Sequence, residues 1–434
     1  MTTAATPGRR LWHLAWPLTL ANLSVPLVGL VDTAVLGHLP DPALLGGVAL
    51  AGVVFSVLYW GFGFLRMGTT ALAAQALGRR DGPEAHAVLL RALATAALLG
   101  TLLILLADPI GRLAWHLLQS EPAVLDAAQH YYAIRIWSAP ATLANYVLLG
   151  WLLGLQRRHA PLALLLTLNL GNALLDLILV WGLGWGVAGA AWAALAAEYL
   201  TLALGWDLVR RALKTHHGLT PHPRGARLWH PQALARLWRI NGDLFLRTLL
   251  LIFALGFFTA QSARLDPILL AANAVLLNFQ TLLAYALDGL AQAIEALVGE
   301  ATGAESDDQR DALIRSATIH SGLIGLAFSL GYALGGETVI ALLTDQPGVR
   351  QAAHDYLPWV IVSPLIAVWS YLLDGIFLGA GRTRELRNAM AVAVFLVYLP
   401  AWALTRGWGN HGLWFALIAF LAARALLLAW RWHR

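Results

Sequence analysis

Carboxylates and amides inside the apolar segments of this chain are the residues best placed to do chemistry. Counted at about 1.5 Å of rise per helical residue, Asp32 and Asp176 both lie about 8 Å below the same membrane surface. Asn172 lies one helical turn from Asp176 on the same face, and Asn145 adds a second amide from another segment. We predict that these four residues form one polar cluster.

Such a cluster could bind an ion. A charged side chain inside a membrane span costs about 2.5–3.5 kcal/mol on insertion scales, so it is usually functional or paired. Arg66 lies much deeper than the two aspartates, and Arg135 lies close enough to the surface to extend toward it. Two carboxylates without a fixed cation would hold a shared proton or a small cation. The alternative is that both aspartates are structural hydrogen-bonding groups solvated by water.

A second set of candidates is mixed in charge. Arg247 lies near the inner end of its segment, on the side toward which three carboxylates of the second half also lie, so it could be their counter-ion. We interpret the set as substrate or gating residues, with structural ion pairing and helix packing as the alternatives. Its members are Arg66, Glu198, Arg247, Tyr285, Asp288, Glu295 and Asp374.

Several other kinds of chemistry are not supported. The chain has no cysteine, which removes a thiol nucleophile, a disulfide framework and a thiolate metal site. Its histidines show no metal spacing, and neither a Walker A motif nor an intramembrane His-Glu-x-x-His is found. We expect no enzymatic activity, no catalytic residues, no metal and no cofactor beyond a coupling ion. Since the basic residues lie in loops, no nucleic-acid partner is expected.

The elements that must position these residues are membrane-spanning helices. Hydrophobic residues make up 59% of the chain and charged residues 12%, with a mean hydropathy of +0.65. A soluble domain carries about 25% charged residues. Segments of about 20 apolar residues can span a bilayer. Twelve are predicted, at approximately 14–37, 44–77, 86–107, 126–155, 161–182, 187–209, 243–262, 268–302, 312–334, 352–380, 388–405 and 412–430.

The chain also contains its own sequence twice, at an offset of about 225 residues. The matched pairs include Asp41-Pro42 with Asp266-Pro267, Ser138 with Ser363, Tyr146 with Tyr371, Gly150 with Gly375 and Gly154 with Gly379. We predict a lobe at 1–210, a basic cytoplasmic linker at 211–242 and a lobe at 243–434. The predicted fold is an all-α integral membrane protein with two parallel six-helix bundles, related by a pseudo-two-fold axis along the membrane normal.

The loop charges predict the orientation. Arginine collects in alternate loops, at both ends and in the linker, which places both termini and the linker in the cytoplasm. The segment 228–239 carries Trp229 and Trp238 among basic residues and could lie as an amphipathic helix on the inner leaflet. We expect a multi-pass protein of the bacterial plasma (inner) membrane.

Five stretches carry a close resemblance to a known family. They are PLVGLVDTAVLGH at 26–38, FLRMGTT at 64–70, WLLGLQ at 151–156, YALDG at 285–289 and YLLDG at 371–375. The chain resembles the MATE (multidrug and toxic compound extrusion) family, in its DNA-damage-inducible protein F (DinF) branch, over essentially its whole length. The resemblance implies an antiporter that exports amphipathic, often cationic organic compounds in exchange for H⁺ or Na⁺.

The resemblance also assigns the ion site. The first-helix aspartate of the family corresponds to Asp32, its Asn-x-x-x-Asp to Asn172 and Asp176, and its fourth-helix asparagine to Asn145. Some relatives complete a cation site with a threonine in the sixth helix, but residues 190–197 contain no hydroxyl group here. We therefore expect proton coupling. The alternatives are Na⁺ coupling and a flippase for lipid-linked precursors. The expected partners are drug-like molecules and the bilayer, with the protein acting as a monomer.

Overall fold

The computed structural model describes residues 6–37, 42–215 and 228–432, with the side chains of 25–37 and 215 outside the description. Within those ranges the chain is helical and contains no strand. The helices of the first half are α1 Pro7–Gly37, α2 Pro42–Gly61, α3 Phe64–Gly78, α4 Gly82–Leu105, α5 Ala107–Leu118, α6 Pro122–Arg135, α7 Ala139–Gly154, α8 His159–Asp176 and α9 Gly186–Thr215. Those of the second half are α10 Pro231–Leu265, α11 Pro267–Gly303, α12 Asp307–Leu343, α13 Pro347–Gly379, α14 Thr383–Val392, α15 Leu399–Thr405 and α16 Asn410–Trp432.

The described helices confirm the predicted fold class. Eleven of the described helical segments are long and apolar enough to cross a membrane, and the predicted first span, 14–37, lies within α1. Several predicted spans are interrupted by short turns: a 3₁₀ turn, Ile136–Ser138, separates α6 from α7. The structure also contains a helix that the sequence did not predict, α5, which lies between the third and fourth predicted spans.

Local sequence explains where the helices begin. Asp266 caps α11, because its carboxylate accepts hydrogen bonds from the main-chain N–H groups of Ile268 (2.7 Å) and Leu269 (3.3 Å). Pro267 takes the first helical position, where no N–H is needed. The equivalent Asp41 lies outside the described residues. In α4 the cap is Asp81, which accepts from the N–H of Glu84 at 3.1 Å.

By their internal packing the residues fall into two compact units. One, here called the N unit, is residues Leu20–Asn241, and the other, the C unit, is Met1–Thr19 with Gly242–Arg434. Among the described residues, these units differ from the predicted lobes in that residues 6–19 group with the second half and residues 228–241 of the predicted linker group with the first. Helices α1 and α10 each therefore begin in one unit and continue into the other.

Equivalent contacts hold the first turns of these two helices. In the C unit, Arg10 of α1 donates to the Glu300 carboxylate at 2.6 Å. In the N unit, Arg236 of α10 donates to the Gln75 side-chain carbonyl at 2.7 Å. Arg10 and Arg236 occupy matching places in the repeat, as do Gln75 and Glu300. The duplicated sequence thus makes the same contact twice, once with an acid and once with an amide.

The glycines shared by the two halves mark close helix crossings. A Cβ on Gly154 of α7 would lie 2.7 Å from the main-chain oxygen of Thr70 on α3, and one on Gly150 would overlap the main-chain oxygen of Arg66. In the C unit, Gly375 and Gly379 of α13 meet the main chain of α11 in the same way, at Ala291 and Glu295. Because only glycine lets the main chains approach this closely, the repeat conserves the crossing.

A buried polar network joins three helices of the C unit. Asn273 of α11 donates to Ser262 Oγ (2.8 Å) and to Asn410 Oδ1 (2.7 Å), and accepts from Asn410 (3.0 Å) and Trp414 (2.8 Å). The side chains of this network are almost completely buried. Their mutual hydrogen bonds offset the cost of removing these groups from water.

Candidate functional site

Asp176 is placed by the end of an apolar helix. It is the last residue of α8, is 3% exposed, and follows Asn172, which is half-buried one turn earlier. A π-helical turn, Leu177–Gly182, begins immediately after it. Such turns alter the main-chain hydrogen-bond ladder and are frequent at functional sites. The helix therefore places a buried carboxylate beside irregular backbone, which is a suitable setting for an ion.

The other half of the predicted aspartate pair is only partly described. Asp32 lies on the helical backbone of α1, but its side chain lies outside the described residues. The pairing of Asp32 with Asp176 stays a prediction.

Asn145 is engaged by a different carboxylate from the one predicted. Its side chain is 7% exposed, and Nδ2 donates to Glu198 Oε2 at 2.8 Å and to the main-chain oxygen of Glu198 at 2.9 Å. These two hydrogen bonds connect α7 to α9. The sequence placed Asn145 with the aspartates and treated Glu198 separately, whereas the structure brings Asn145 and Glu198 together.

Arg135, which the sequence assigned to the membrane surface, belongs to the same region of the N unit. Its guanidinium lies 4.9 Å from the centre of the Phe55 ring and donates to the Tyr131 hydroxyl at 2.8 Å. It is also within electrostatic reach of Glu198 and Tyr59. Sequence reasoning missed this pairing, although an arginine within a span was a signal that a partner was needed.

The C unit contains a buried carboxylate with two cations. Asp374 of α13 accepts hydrogen bonds at the same oxygen, Oδ2, from Arg247 of α10 and from Arg424 of α16, the latter at 2.7 Å. All three side chains are at most 10% exposed. The structure thus places Arg247 as a counter-ion of Asp374. Arg424 was missed, although it interrupts an otherwise apolar helix.

The repeated tyrosine lies beside the charged cluster in each unit. Tyr146 is within electrostatic reach of Arg66, Arg135 and Glu198. Its partner in the repeat, Tyr371, is within reach of Asp288, Asp374, Arg247 and Arg424. These tyrosines are a matched pair of the sequence repeat, so the repeat itself was a signal for the position of both clusters.

The remaining candidates are distributed around these clusters. Arg66 is half-buried on α3, with its main chain beneath Gly150. On α11, Tyr285 and Asp288 are half-buried and interact electrostatically, while Glu295 is 1% exposed. Among the described residues, no three side chains of His, Asp or Glu come together as a metal site.

A duplicated bundle of spanning helices, with ionisable side chains buried inside each half, defines a multi-pass membrane transporter. The chain belongs to the MatE family, whose model matches residues 17–178 and 244–403. It is 46% identical to DNA damage-inducible protein F of Escherichia coli (strain K12), with 100% of this chain and 94% of that protein aligned.

More distant relatives agree with this assignment. The chain is 28% identical to a probable multidrug resistance protein NorM of Rhizobium meliloti (strain 1021), over 97% of this chain and 92% of that one. Its fold is similar to that of a MOP superfamily transporter from Pyrococcus furiosus, with a TM-score of 0.87 at 19% identity, over 99% of this chain and 96% of that one. The chain is thus a membrane transporter with homologues in multidrug efflux.

Proposed function

We propose that this protein exports amphipathic, often cationic organic compounds in exchange for protons, by alternating access, and that Asp32 and Asp176 couple the two movements. The single observation that supports this most strongly is the burial of Asp176 at the junction between α8 and the π-helical turn. A carboxylate in such a setting changes its local interactions strongly when it gains or loses a proton.

Within the C unit, the buried Asp374 is a weaker candidate for ion coupling. Asp374 already accepts from two buried arginines, so its negative charge is neutralised within the protein. A carboxylate held in this way is a poor carrier for a transported proton. The N unit is therefore the better candidate for ion coupling, with Asn172 and Asn145 positioning its polar groups.

Protons are favoured over sodium as the coupling ion. A Na⁺ site needs several oxygen ligands, and residues 190–197 of α9 provide no side-chain hydroxyl. A single proton on a carboxylate needs no such ligand set.

The experiment is transport by the purified protein in proteoliposomes with a lipophilic cationic dye as substrate. An imposed pH gradient should drive dye transport by the natural protein. The Asp32→Asn and Asp176→Asn variants should still bind dye, but the pH gradient should no longer drive its transport. Asp207→Asn is the control, because Asp207 forms an exposed pair with Arg211 at 2.7 Å on α9. Unchanged proton-driven transport by Asp32→Asn would refute the mechanism. Transport driven by a Na⁺ gradient at equal pH would support the sodium alternative instead.

We also infer that the protein works as a monomer in the bacterial plasma membrane with both termini in the cytoplasm. The distribution of arginine among the loops supports the orientation.

A further inference from the structure

A small basic cavity lies at the end of the N unit that is predicted to face the cytoplasm. Its volume is about 270 Å³. It is lined by Leu72, Arg79, Glu84, Val88, Arg91, His230, Gln232, Ala233 and Arg236. Three arginines and a histidine thus face one carboxylate, and the transport mechanism uses none of them.

The arginines are arranged from the base of the cavity to its mouth. Arg91 is 3% exposed and donates to Glu84 at 2.7 Å, while its Nε has no hydrogen-bond partner within the described part of the chain. Arg79 and Arg236 are exposed and lie within electrostatic reach of each other. Like charges held together in this way favour the binding of an anion between them.

The lining contains one acid, Glu84, against three arginines. Arg236 donates to Gln75, a neutral amide, at 2.7 Å. Asp81, the nearest further acid along α4, does not line the cavity and caps the helix through the N–H of Glu84. The linker sequence 214–227 contains no acidic residue. Among the lining residues, positive charge is in excess.

The equivalent place in the C unit lacks this excess. There Arg10 replaces Arg236, and its partner is the carboxylate of Glu300 rather than an amide. The positions that match Arg79 and Arg91 in the repeat are Ala304 and Ser316. At these three matched positions the N unit has three arginines, whereas the C unit has one, and that arginine is paired with a carboxylate.

Two tryptophans place this cavity at the level of lipid head groups. Trp229 and Trp238 flank the lining residues of α10 and are 58% and 48% exposed. Exposed tryptophan is enriched at the membrane–water interface, and basic pockets between helices on the cytoplasmic side bind anionic head groups.

We propose that this cavity binds the phosphate group of an anionic membrane lipid, with Arg91 at its base and Arg79 and Arg236 at its mouth. Guanidinium groups suit a phosphodiester because they donate paired hydrogen bonds to its oxygens. The bound lipid would hold the first turns of α10 against α3 and α4, within the N unit.

The test is native mass spectrometry of the full-length protein in detergent, with phosphatidylglycerol, phosphatidylcholine or inorganic phosphate added separately. Phosphatidylglycerol should be retained preferentially. Each arginine near a lipid surface contributes about fivefold to affinity, so Arg79→Gln with Arg236→Gln should weaken its binding about 25-fold. Both residues are exposed, so these changes should leave the fold intact.

Gln75→Glu is a more specific test. It gives Arg236 a carboxylate partner within the protein, as Glu300 is for Arg10. It should weaken lipid binding about fivefold while strengthening the contact between α3 and α10. Arg10→Gln and Arg211→Gln are the controls and should bind lipid as the natural protein does. Equal retention of phosphatidylcholine, unchanged binding by the double variant, or an equal loss in Arg10→Gln would overturn the proposal. Displacement of the lipid by millimolar inorganic phosphate would overturn the lipid assignment in favour of a free anion.

Discussion

At the scale of single residues, the most consequential arrangement is the one carboxylate shared by two arginines in the C unit. Asp374 separates two guanidinium groups that would otherwise repel each other in a buried setting. Removing one partner from a buried ion pair leaves an uncompensated charge, which costs more than the pair itself contributes. Loss of the carboxylate would therefore leave two uncompensated buried cations, whereas loss of one arginine would leave an ion pair.

Replacing Asp374 should be more damaging than replacing either arginine. Asp374→Asn leaves two buried cations facing each other and should lower the free energy of unfolding by about 3–5 kcal/mol. Arg247→Gln leaves one balanced pair with Arg424 and should cost less. Denaturant titration of the purified protein would measure both. Asp207→Asn, in an exposed pair, should change stability by no more than about 0.5 kcal/mol. An equal loss for Asp374→Asn and Arg247→Gln would show that charge repulsion is not the cause.

Residue positions were predicted better than residue partners. Asp176, Arg247 and Asp374 were recognised because a charge in an apolar run is visible in sequence. Arg424 carried the same signal, yet its partner Asp374 lies on another helix, 50 residues away in sequence, a separation that no local pattern encodes. Asn145 shows the limit clearly, since its neighbour Glu198 is 53 residues away and is chosen by the packing of α7 on α9.

At the scale of helices, the repeated glycines fix the spacing of the central pair in each unit. Gly150 and Gly154 bring α7 onto α3, and Gly375 and Gly379 bring α13 onto α11. A methyl group at such a site meets main-chain atoms, which cannot move aside as a side chain can. The positions of repeated glycines are therefore as informative about helix packing as the positions of large apolar residues.

Gly375→Ala should destabilise the protein or displace α13. Its Cβ would overlap the main-chain oxygen of Ala291, and overpacking of this kind costs about 1–3 kcal/mol or more. Gly331→Ala on α12 is the matched control, because nothing lies within 4 Å of its Cβ position. That change should be neutral or stabilising by up to about 1 kcal/mol. The measurement is thermal unfolding in detergent, and equal melting temperatures for the two variants would contradict the crossing.

The spans were located by composition, but some helices extend well beyond them: α10 begins at Pro231 where the predicted span begins at 243, and α12 ends at Leu343 where the span ends at 334. The irregular turns within the helices were not predicted. Composition identifies spans such as α4 and α16 directly, because a bilayer demands long apolar runs. The π-helical turns after Asp176 and at Ala393–Tyr398 occur in sequences that read as ordinary apolar helix. Helix α5 escaped prediction because it is short and amphipathic and follows a span directly.

At the scale of the whole molecule, the order of spans and the loop charges define a sidedness that can be measured directly. The chain has no cysteine, so a single introduced cysteine reports on its own position. Ser120 lies between the third and fourth predicted spans and Asp308 between the eighth and ninth, which places them on opposite sides. Both residues are exposed.

Ser120→Cys should react in intact cells with a thiol reagent that cannot cross the membrane, because the orientation rule places it outside. Asp308→Cys should react only after the cells are permeabilised. The extent of labelling is measured on the purified protein, and the natural chain, which has no cysteine, is the negative control. The reverse pattern would invert the orientation, and labelling of both in intact cells would contradict the number of spans between them.

The helices that begin in one unit and continue in the other also determine the order in which the two units can fold during synthesis. Residues 6–19 emerge early but belong to the unit that continues only from Gly242. At 5–20 residues per second, Glu300, the partner of Arg10, is made roughly 15–60 s later. The N unit, by contrast, is complete once Asn241 has been made. The start of α1, with its apolar residues Leu11, Leu14 and Leu18, must therefore wait in the nascent chain until α11 and α12 have been made.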